Sequence, residues 1–424
     1  MAAGAAIDVC VIGGGIVGVA TAWRSALRGR RTLLLERFGS VLHTRGSSHG
    51  RSRIIRRTYP QDVYTRAMAD AYAFWRQAEA EAGVQLITTT GGIDLGAVGN
   101  PGLAAIVRGC ERFGVPHERL RADEVHARFP LLRPPDGYEA VFSPEGGVLD
   151  ADAARESLLA LALRASCELR TGATVVDVAA DGAGGLRVDV AVDGGAGART
   201  TSVHAASVVL AAGAWTPALL RRCTATRHTA WAALPLALKK VRSMLWRPRG
   251  ARACALVGST PAFIDYSTDM PVYGMPDPSG LLKLATHDGP LFADADARDE
   301  QDDEASALAV ARAFIRRCVP DLDASGAPER VEHCVYTMTP DEDFVLDAMP
   351  VGQARLVLGS SCSGHGFKLA PWTGEALACL ATGEAGARSW HAAALGALRA
   401  DRAFGSFDAP LIMGQQRGPS TTSD

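Results

Sequence analysis

Gly13-Gly14-Gly15-Ile16-Val17-Gly18 fits G-x-G-x-x-G, and Glu36 stands eighteen residues beyond Gly18. Gly13 permits a tight turn, Gly15 lets backbone approach a pyrophosphate, and Gly18 lets a helix pack against a strand. Glu36 can accept hydrogen bonds from a ribose and disfavours a 2′-phosphate. The pattern serves FAD and NAD equally, and an unliganded Gly-rich turn looks similar. Val208–Gly213 followed by Ala214-Trp215-Thr216-Pro217 is a second apolar run ending in a small-residue turn, a weaker signal of the same kind.

Lysine is scarce. Of 44 basic residues only those at 239, 240, 283 and 368 are Lys. Where arginine serves as the generic cation, a retained lysine marks a place for a compact, titratable ammonium. Lys283 lies in the apolar run Leu281–Leu284, and an inward lysine there needs a partner, a neutral state or an electron-rich neighbour. His287 falls on the same strand face. Lys368 closes Ser363-Gly364-His365-Gly366-Phe367-Lys368, a loop able to offer N–H donors to an anion, with Lys368 as a cation for a carboxylate. Taken alone, Lys283 fits a strand-edge surface position better, and Lys368 fits a snorkelling position after the turn as well as an inward one. Lys239 and Lys240 are read as surface or strand-edge charges.

Gly46-Ser47-Ser48-His49-Gly50 runs into a segment carrying Arg51, Arg53, Arg56 and Arg57. Read as a helical turn, Arg53 to Arg56 points both guanidinium groups into one site, where a guanidinium captures a carboxylate in bidentate fashion. A solvated basic loop is the alternative, opposed by Ile54 and Ile55. Cys334 and Tyr336 share a face if their segment is a strand. A lone buried Cys is by default a small hydrophobe.

The elements that must position these residues follow from periodicity. Strand 7–13, helix 15–28 and strand 31–36 make a βαβ unit. Helices are expected at 62–83, 100–112, 151–164, 303–317 and 372–380. Residues 169–178 read as strand-turn-strand, 181–197 as a Gly-rich hairpin, and 355–358 as a strand. The fold class expected is α/β in two domains. A nucleotide-binding Rossmann-like domain is assembled from 1–88, 150–222 and 331–410. A mainly antiparallel substrate domain comes from 89–149 and 223–330, and 411–424 form a disordered tail.

Bulk properties narrow the function. A net charge of −2 gives no footprint for nucleic acid and no polybasic membrane signal. Apolar runs fall far short of the roughly 20 residues that span a bilayer. No signal peptide and no C-terminal peroxisomal tripeptide are expected. Nine cysteines without paired spacing fit reduced thiols in an intracellular compartment, and no metal site is assigned. The expected location is cytoplasmic or peroxisomal.

Taken together, Gly13–Gly18, Gly46–Arg56, Lys283–His287, Cys334–Asp347 and Ser363–Lys368 resemble the monomeric sarcosine oxidase family, which includes L-pipecolate oxidase and N-methyltryptophan oxidase. The blocks occur in the family's order across roughly 7–405. The wording of Gly46–Gly50 and Gly366–Pro371 looks closest to the eukaryotic pipecolate and sarcosine oxidases. The resemblance implies FAD, covalently bonded to Cys334 at the flavin 8-methyl carbon. It implies Lys283 over the flavin near N5 for reaction with oxygen, and Arg56 with Lys368 on the substrate carboxylate. Ser47, Ser48, His49, Arg53, Gly364, His365, Gly366 and Phe367 are implied to line the flavin site. Tyr273, Tyr336 and His287 are implied to surround the substrate.

The resemblance further implies a monomer that oxidises a secondary α-amino acid, such as sarcosine or L-pipecolate, to an imine with formation of hydrogen peroxide. Alternatives are a dehydrogenase of the same fold, or an oxidase of glycine, a D-amino acid or a glycated amino acid. The family's usual Gly-Phe before Ser-Gly-His-Gly is here Ser361-Cys362, and Trp372 stands where a smaller residue is common. Substrate size is therefore not carried over.

Overall fold

The computed structural model describes residues 7–192, 199–249, 258–267, 271–300, 304–360, 362–384 and 389–407. Ser361 and the tail 411–424, expected to be disordered, lie outside them.

Ile7–Ile12 is buried at all but one position, as a strand covered on both faces must be. It pairs in parallel with Thr32–Leu35 and with the C-terminal half of Arg199–Leu210. Thr32–Leu35 pairs in parallel with Glu168–Arg170, and Arg199–Leu210 with Ala354–Ser360. The N-terminal half of Arg199–Leu210 continues outward to pair antiparallel with Leu186–Val192, which pairs with Ala173–Ala180. Val345–Val351 completes this eight-stranded sheet. Its parallel core therefore draws on three separated stretches of chain. The turn between Ala173–Ala180 and Leu186–Val192 is tied by Asp181, whose Oδ1 accepts from the N–H groups of Ala183 and Gly185. The Gly-rich residues 193–198 of the expected hairpin are not among the described residues.

Helix Ile16–Leu27 lies directly against helix Ala370–Thr382. The crossing is close because Gly374 has no side chain: a Cβ there would stand 2.6 Å from Ala20 backbone. Trp23, Trp75 and Trp372 are fully buried in the core on this side. Trp372 fills core volume and does not line the cavity described below.

The second sheet has nine strands, antiparallel throughout except where Ala262–Asp265 runs parallel to Gly92–Ala97. Its centre is Ala237–Trp246, hydrogen-bonded to Leu282–Thr286 on one side and along most of its length to Arg330–Met338 on the other. Arg330–Met338 was placed with the nucleotide segment on sequence grounds, but it is a strand of this second sheet. Lys240, read as a surface or edge charge, is buried on Ala237–Trp246. A small third sheet joins Ser52–Ile55, Gly147–Asp150 and Ile87–Thr88.

Ser52–Ile55 corrects the helical turn expected for Arg53–Arg56. Two consecutive isoleucines favour extended backbone, and the strand pairs in full with Gly147–Asp150.

Candidate active site

A single cavity of about 390 Å³ runs from the first βαβ unit to the nine-stranded sheet. At its near end Gly13 has φ +108, and a Cβ there would lie 2.4 Å from the Ala211 carbonyl oxygen. A Cβ on Gly18 would fall 1.8 Å from the Gly13 oxygen. Both glycines are thus demanded by the fold itself. Gly15 differs: the nearest atom to its Cβ position is Ser48 Oγ at 3.2 Å, and it lines the cavity. Glu36 is buried, and its carboxylate accepts from Gly14 N–H at 2.7 Å and Phe38 N–H at 2.8 Å. Ser48 Oγ accepts from Ile16 N–H at 3.0 Å, tying the Gly46–Gly50 loop to the helix N-terminus.

Midway, Ser47 donates to the Val335 carbonyl, and His49 Nε2 to the His333 carbonyl at 2.7 Å. The same His49 nitrogen lies 3.9 Å from Cys334 Sγ. Arg53 stretches along the wall, donating to the carbonyls of Ser47 and Ser52 and standing 4.0 Å from Cys334 Sγ, with its guanidinium over the Phe367 ring. Burial alone would push the Cys334 thiol up. The His49 hydrogen bond and the charges of Arg53 and Lys283 overcome it and bring the thiol to about 7. Burial drives the other thiols with resolved shifts the opposite way, to about 12 for Cys10 and Cys362.

Lys283 reaches the cavity from strand Leu282–Thr286, 3% exposed. Its Nζ lies 2.7 Å from Glu332 Oε2 and 3.5 Å from the Ser52 carbonyl. Glu332 also meets Arg330 at 3.3 Å and accepts from Ser243 Oγ at 3.4 Å. Burial and Arg53 draw the Lys283 ammonium below its usual range, with Glu332 opposing.

At the far end two basic side chains share one ring. Arg56 lies 4.5 Å and Lys368 Nζ 5.2 Å from the centre of Tyr59. Arg56 pairs with Asp94 at 3.3 Å and donates to Tyr266 OH at 2.9 Å. Lys368 donates to the His365 carbonyl at 3.2 Å. Burial and the Arg56 charge hold Lys368 well below the usual lysine range. His365 Nε2 lies 3.2 Å from the Glu342 carbonyl, which can only accept, so the proton sits on Nε2. Nδ1 is left to accept from Tyr59 OH at 3.2 Å. Burial keeps His365 and His287 neutral, His287 falling to about 3. Tyr273 and Tyr336 join hydroxyl to hydroxyl at 3.0 Å beside His287. Gly364 lies against Tyr336: a Cβ there would meet the ring at 2.5 Å.

Of the residues expected from sequence, Gly13, Gly15, Glu36, Ser47, Ser48, Arg53, Arg56, Tyr273, Lys283, His287, Cys334, Tyr336, Gly364, His365, Gly366, Phe367 and Lys368 line this one cavity. Gly18 and His49 stand behind its wall. Sequence reasoning passed over Asp94, Tyr59, Tyr266 and Glu332, whereas Trp215, in the turn after Val208–Gly213, does line the cavity. Asp94 carried a usable signal, since a lone carboxylate in the apolar strand Gly92–Ala97 is the same anomaly that marked Lys283.

The model of the FAD dependent oxidoreductase family matches residues 8–380. Peroxisomal sarcosine oxidases of Mus musculus and Homo sapiens are each 36% identical over 377 residues, covering 87% of this chain and 90% of the relative. N-methyl-L-tryptophan oxidase of Yersinia pestis is 30% identical over 377 residues, covering 88% and 94%. Among solved structures NikD, an unusual amino acid oxidase essential for nikkomycin biosynthesis, superposes with TM-score 0.76 at 26% identity, covering 95% of this chain and 99% of that one. The chain belongs to the FAD dependent oxidoreductase family.

Proposed function

We propose that the chain is an oxidase of secondary α-amino acids, N-methylated or cyclic, that uses FAD and molecular oxygen. The observation that carries this reading is the pair Arg56 and Lys368 against one Tyr59 ring, at the opposite end of the cavity from the nucleotide cradle. The cradle fits a dinucleotide. Gly15 leaves room where a pyrophosphate would approach, and Glu36 is held at the end of its strand, where a ribose would reach it. In this reading the eight-stranded sheet with its helices holds the nucleotide, and the nine-stranded sheet walls the substrate.

When bound, the flavin would supply the two-electron acceptor that converts the substrate C–N bond to an imine and passes the electrons to oxygen as hydrogen peroxide. The protein's part is positional and electrostatic. Arg56 and Lys368 fix the substrate carboxylate. His287, neutral, and the Tyr273–Tyr336 pair close the cavity around the remaining atoms without adding a charge beside the neutral amine. Lys283 brings an ammonium into a dry wall, where it stabilises negative charge developing on oxygen. Cys334 is the proposed point of flavin attachment, supported by its lowered thiol between His49 and Arg53.

An absorption spectrum of the denatured, desalted protein tests the attachment, and titration with sarcosine, L-pipecolate and L-proline under air tests the reaction. Flavin absorbance that stays with the chain and stoichiometric peroxide with one of the three substrates are expected. Reduction by substrate without peroxide would instead make the enzyme a dehydrogenase. No reduction by any secondary amino acid would end the reading.

A further inference from the structure

Arg56 does not face the cavity as a free cation. Asp94, 1% exposed on strand Gly92–Ala97, stands 3.3 Å from its Nη1. Tyr266 OH accepts from Nη2, and Thr58 Oγ1 from Nη1 at 3.4 Å. Arg56 Nε is buried without a hydrogen-bond partner among the described residues. The two Nη atoms of Arg56 are already engaged by Asp94, Thr58 and Tyr266. A ligand carboxylate arriving there joins an anion already present. In a water-poor pocket two carboxylates on one guanidinium leave a net negative charge, which is costly unless another group compensates.

Lys368 is the group placed to do so. Around it are Arg56, Asp94, Arg53, the neutral His287 and His365, the Tyr59 ring, and the His365 carbonyl that its Nζ donates to. Arg53 is occupied by the carbonyls of Ser47 and Ser52. Arg56 and Asp94 cancel as a pair, the Arg56 charge opposing the burial that raises the Asp94 carboxyl, and a proton on Lys368, beside them on the Tyr59 ring, balances an incoming carboxylate.

We propose that Asp94 is a positioning residue that neutralises Arg56 in the empty pocket, so that substrate carboxylate enters together with a proton taken up on Lys368. The inference rests on the proposed carboxylate role of Arg56 and Lys368. It adds that binding is proton-linked, and that the stoichiometry is set by Asp94, which need not touch the substrate. Burial and the neighbouring Arg56 charge, which hold the empty-site ammonium well below its usual range, act in the same direction. The linkage has a definite sign. A group whose pKa rises on binding takes up its proton between the free and bound values. Affinity is therefore full below the free value and falls as pH rises through that window, by up to about tenfold per pH unit.

The test uses the holoenzyme and cyclopentanecarboxylate, which has the carboxylate but no amine to oxidise or titrate. Binding is followed by calorimetry at mildly alkaline pH in two buffers of different ionisation heat. Uptake of about one proton per bound ligand is expected, disappearing in Lys368→Met. Asp94→Asn should still bind, because Arg56 is then uncompensated and balances the ligand directly, but proton uptake should vanish and the pH dependence flatten. A purely structural role for Asp94 would weaken binding and leave uptake intact, which would overturn the proposal. Wild-type binding without proton uptake would overturn it too, whatever Asp94→Asn does, while leaving the carboxylate site standing. Failure of the ligand to bind, or binding undiminished in Arg56→Met, would remove the carboxylate site itself.

Discussion

Cys334 and Cys10 are both buried thiols on strands, and what separates them is the company they keep. Cys10 sits among apolar side chains of the eight-stranded sheet, whereas Cys334 has His49 and Arg53 within 4.0 Å. Attachment of flavin at Cys334 predicts that Cys334→Ser releases all its flavin on acid denaturation, read as absorbance lost from the pellet. Flavin retained in that pellet would place the link elsewhere. At Lys283 the pairing with Glu332 complicates the obvious variant. Lys283→Met leaves the half-buried Glu332 carboxylate with Arg330 as its remaining cation, a defect smaller than the about 3–5 kcal/mol of a fully buried pair broken outright. Lys283→Met combined with Glu332→Gln should recover most of the lost melting temperature. Anaerobic reduction by substrate should then stay within a few-fold of wild type, with reaction with oxygen slowed by orders of magnitude. Oxygen reactivity restored along with stability would show that Lys283 serves only as a structural partner for Glu332.

At the scale of elements, the loop between Ala354–Ser360 and helix Ala370–Thr382 has a turn that only glycine fits. Gly364 has φ +81, and its missing Cβ is occupied by the Tyr336 ring. Gly364→Ala must either displace Tyr336 or distort the loop, and overpacking of this kind costs about 1–3 kcal/mol. A raised KM for substrate, with a smaller change in flavin content, is expected, and steady-state kinetics beside a flavin-to-protein absorbance ratio would check it. Elements of this kind were legible where local pattern decides them. The βαβ unit, helix Asp62–Ala82 and helix Ala151–Arg164 follow from apolar spacing alone. Failures arose where a distant partner decides. Arg330–Met338 runs from a polar start into a buried end, and nothing within it says that it will pair with Ala237–Trp246 and not extend the parallel sheet. Arg53–Arg56 was misread because cation spacing was weighed above the β-branched pair between them. The site was legible in its anomalies, scarce lysines and clustered glycines. It was opaque in the ordinary residues, Tyr59 and Tyr266, that only the fold brings together.

Across the whole molecule, the two sheets are joined on the nucleotide side by residues 294–299, which follow the edge strand Leu291–Phe292 of the nine-stranded sheet. Arg298, 8% exposed, donates to the carbonyls of Thr44 at 2.7 Å and Arg45 at 3.2 Å, on the loop that follows Glu36. Around it lie more exposed contacts: Asp296 with Arg37 at 2.9 Å and with Trp215 Nε1 at 3.0 Å, and Asp299 with Arg45 at 2.8 Å. These layers should respond differently. Hydrogen bonds from a charged donor are worth about 1.5–3 kcal/mol, and a buried one is poorly screened, so Arg298→Ala should lower the melting temperature at low and high salt alike. Asp296→Ala removes a surface pair worth about 0–1 kcal/mol whose effect high salt should erase, whereas Asp299→Ala also takes a 2.8 Å partner from Arg298 and should keep part of its effect in high salt. Both carboxylates are held below the ordinary aspartate value of 3.8, Asp296 by Arg37 and Trp215 against the pull of burial, Asp299 chiefly by Arg298. A depressed carboxylate stabilises above its unfolded value and loses that contribution as pH falls through the folded one. The pairs therefore hold through neutral pH and fail only in acid. Melting curves of the three variants across salt and pH would decide the matter. A salt-sensitive Arg298→Ala, or an Asp296→Ala variant as damaging as it, would mean that the sheets are held by the surface charges and not by the buried guanidinium.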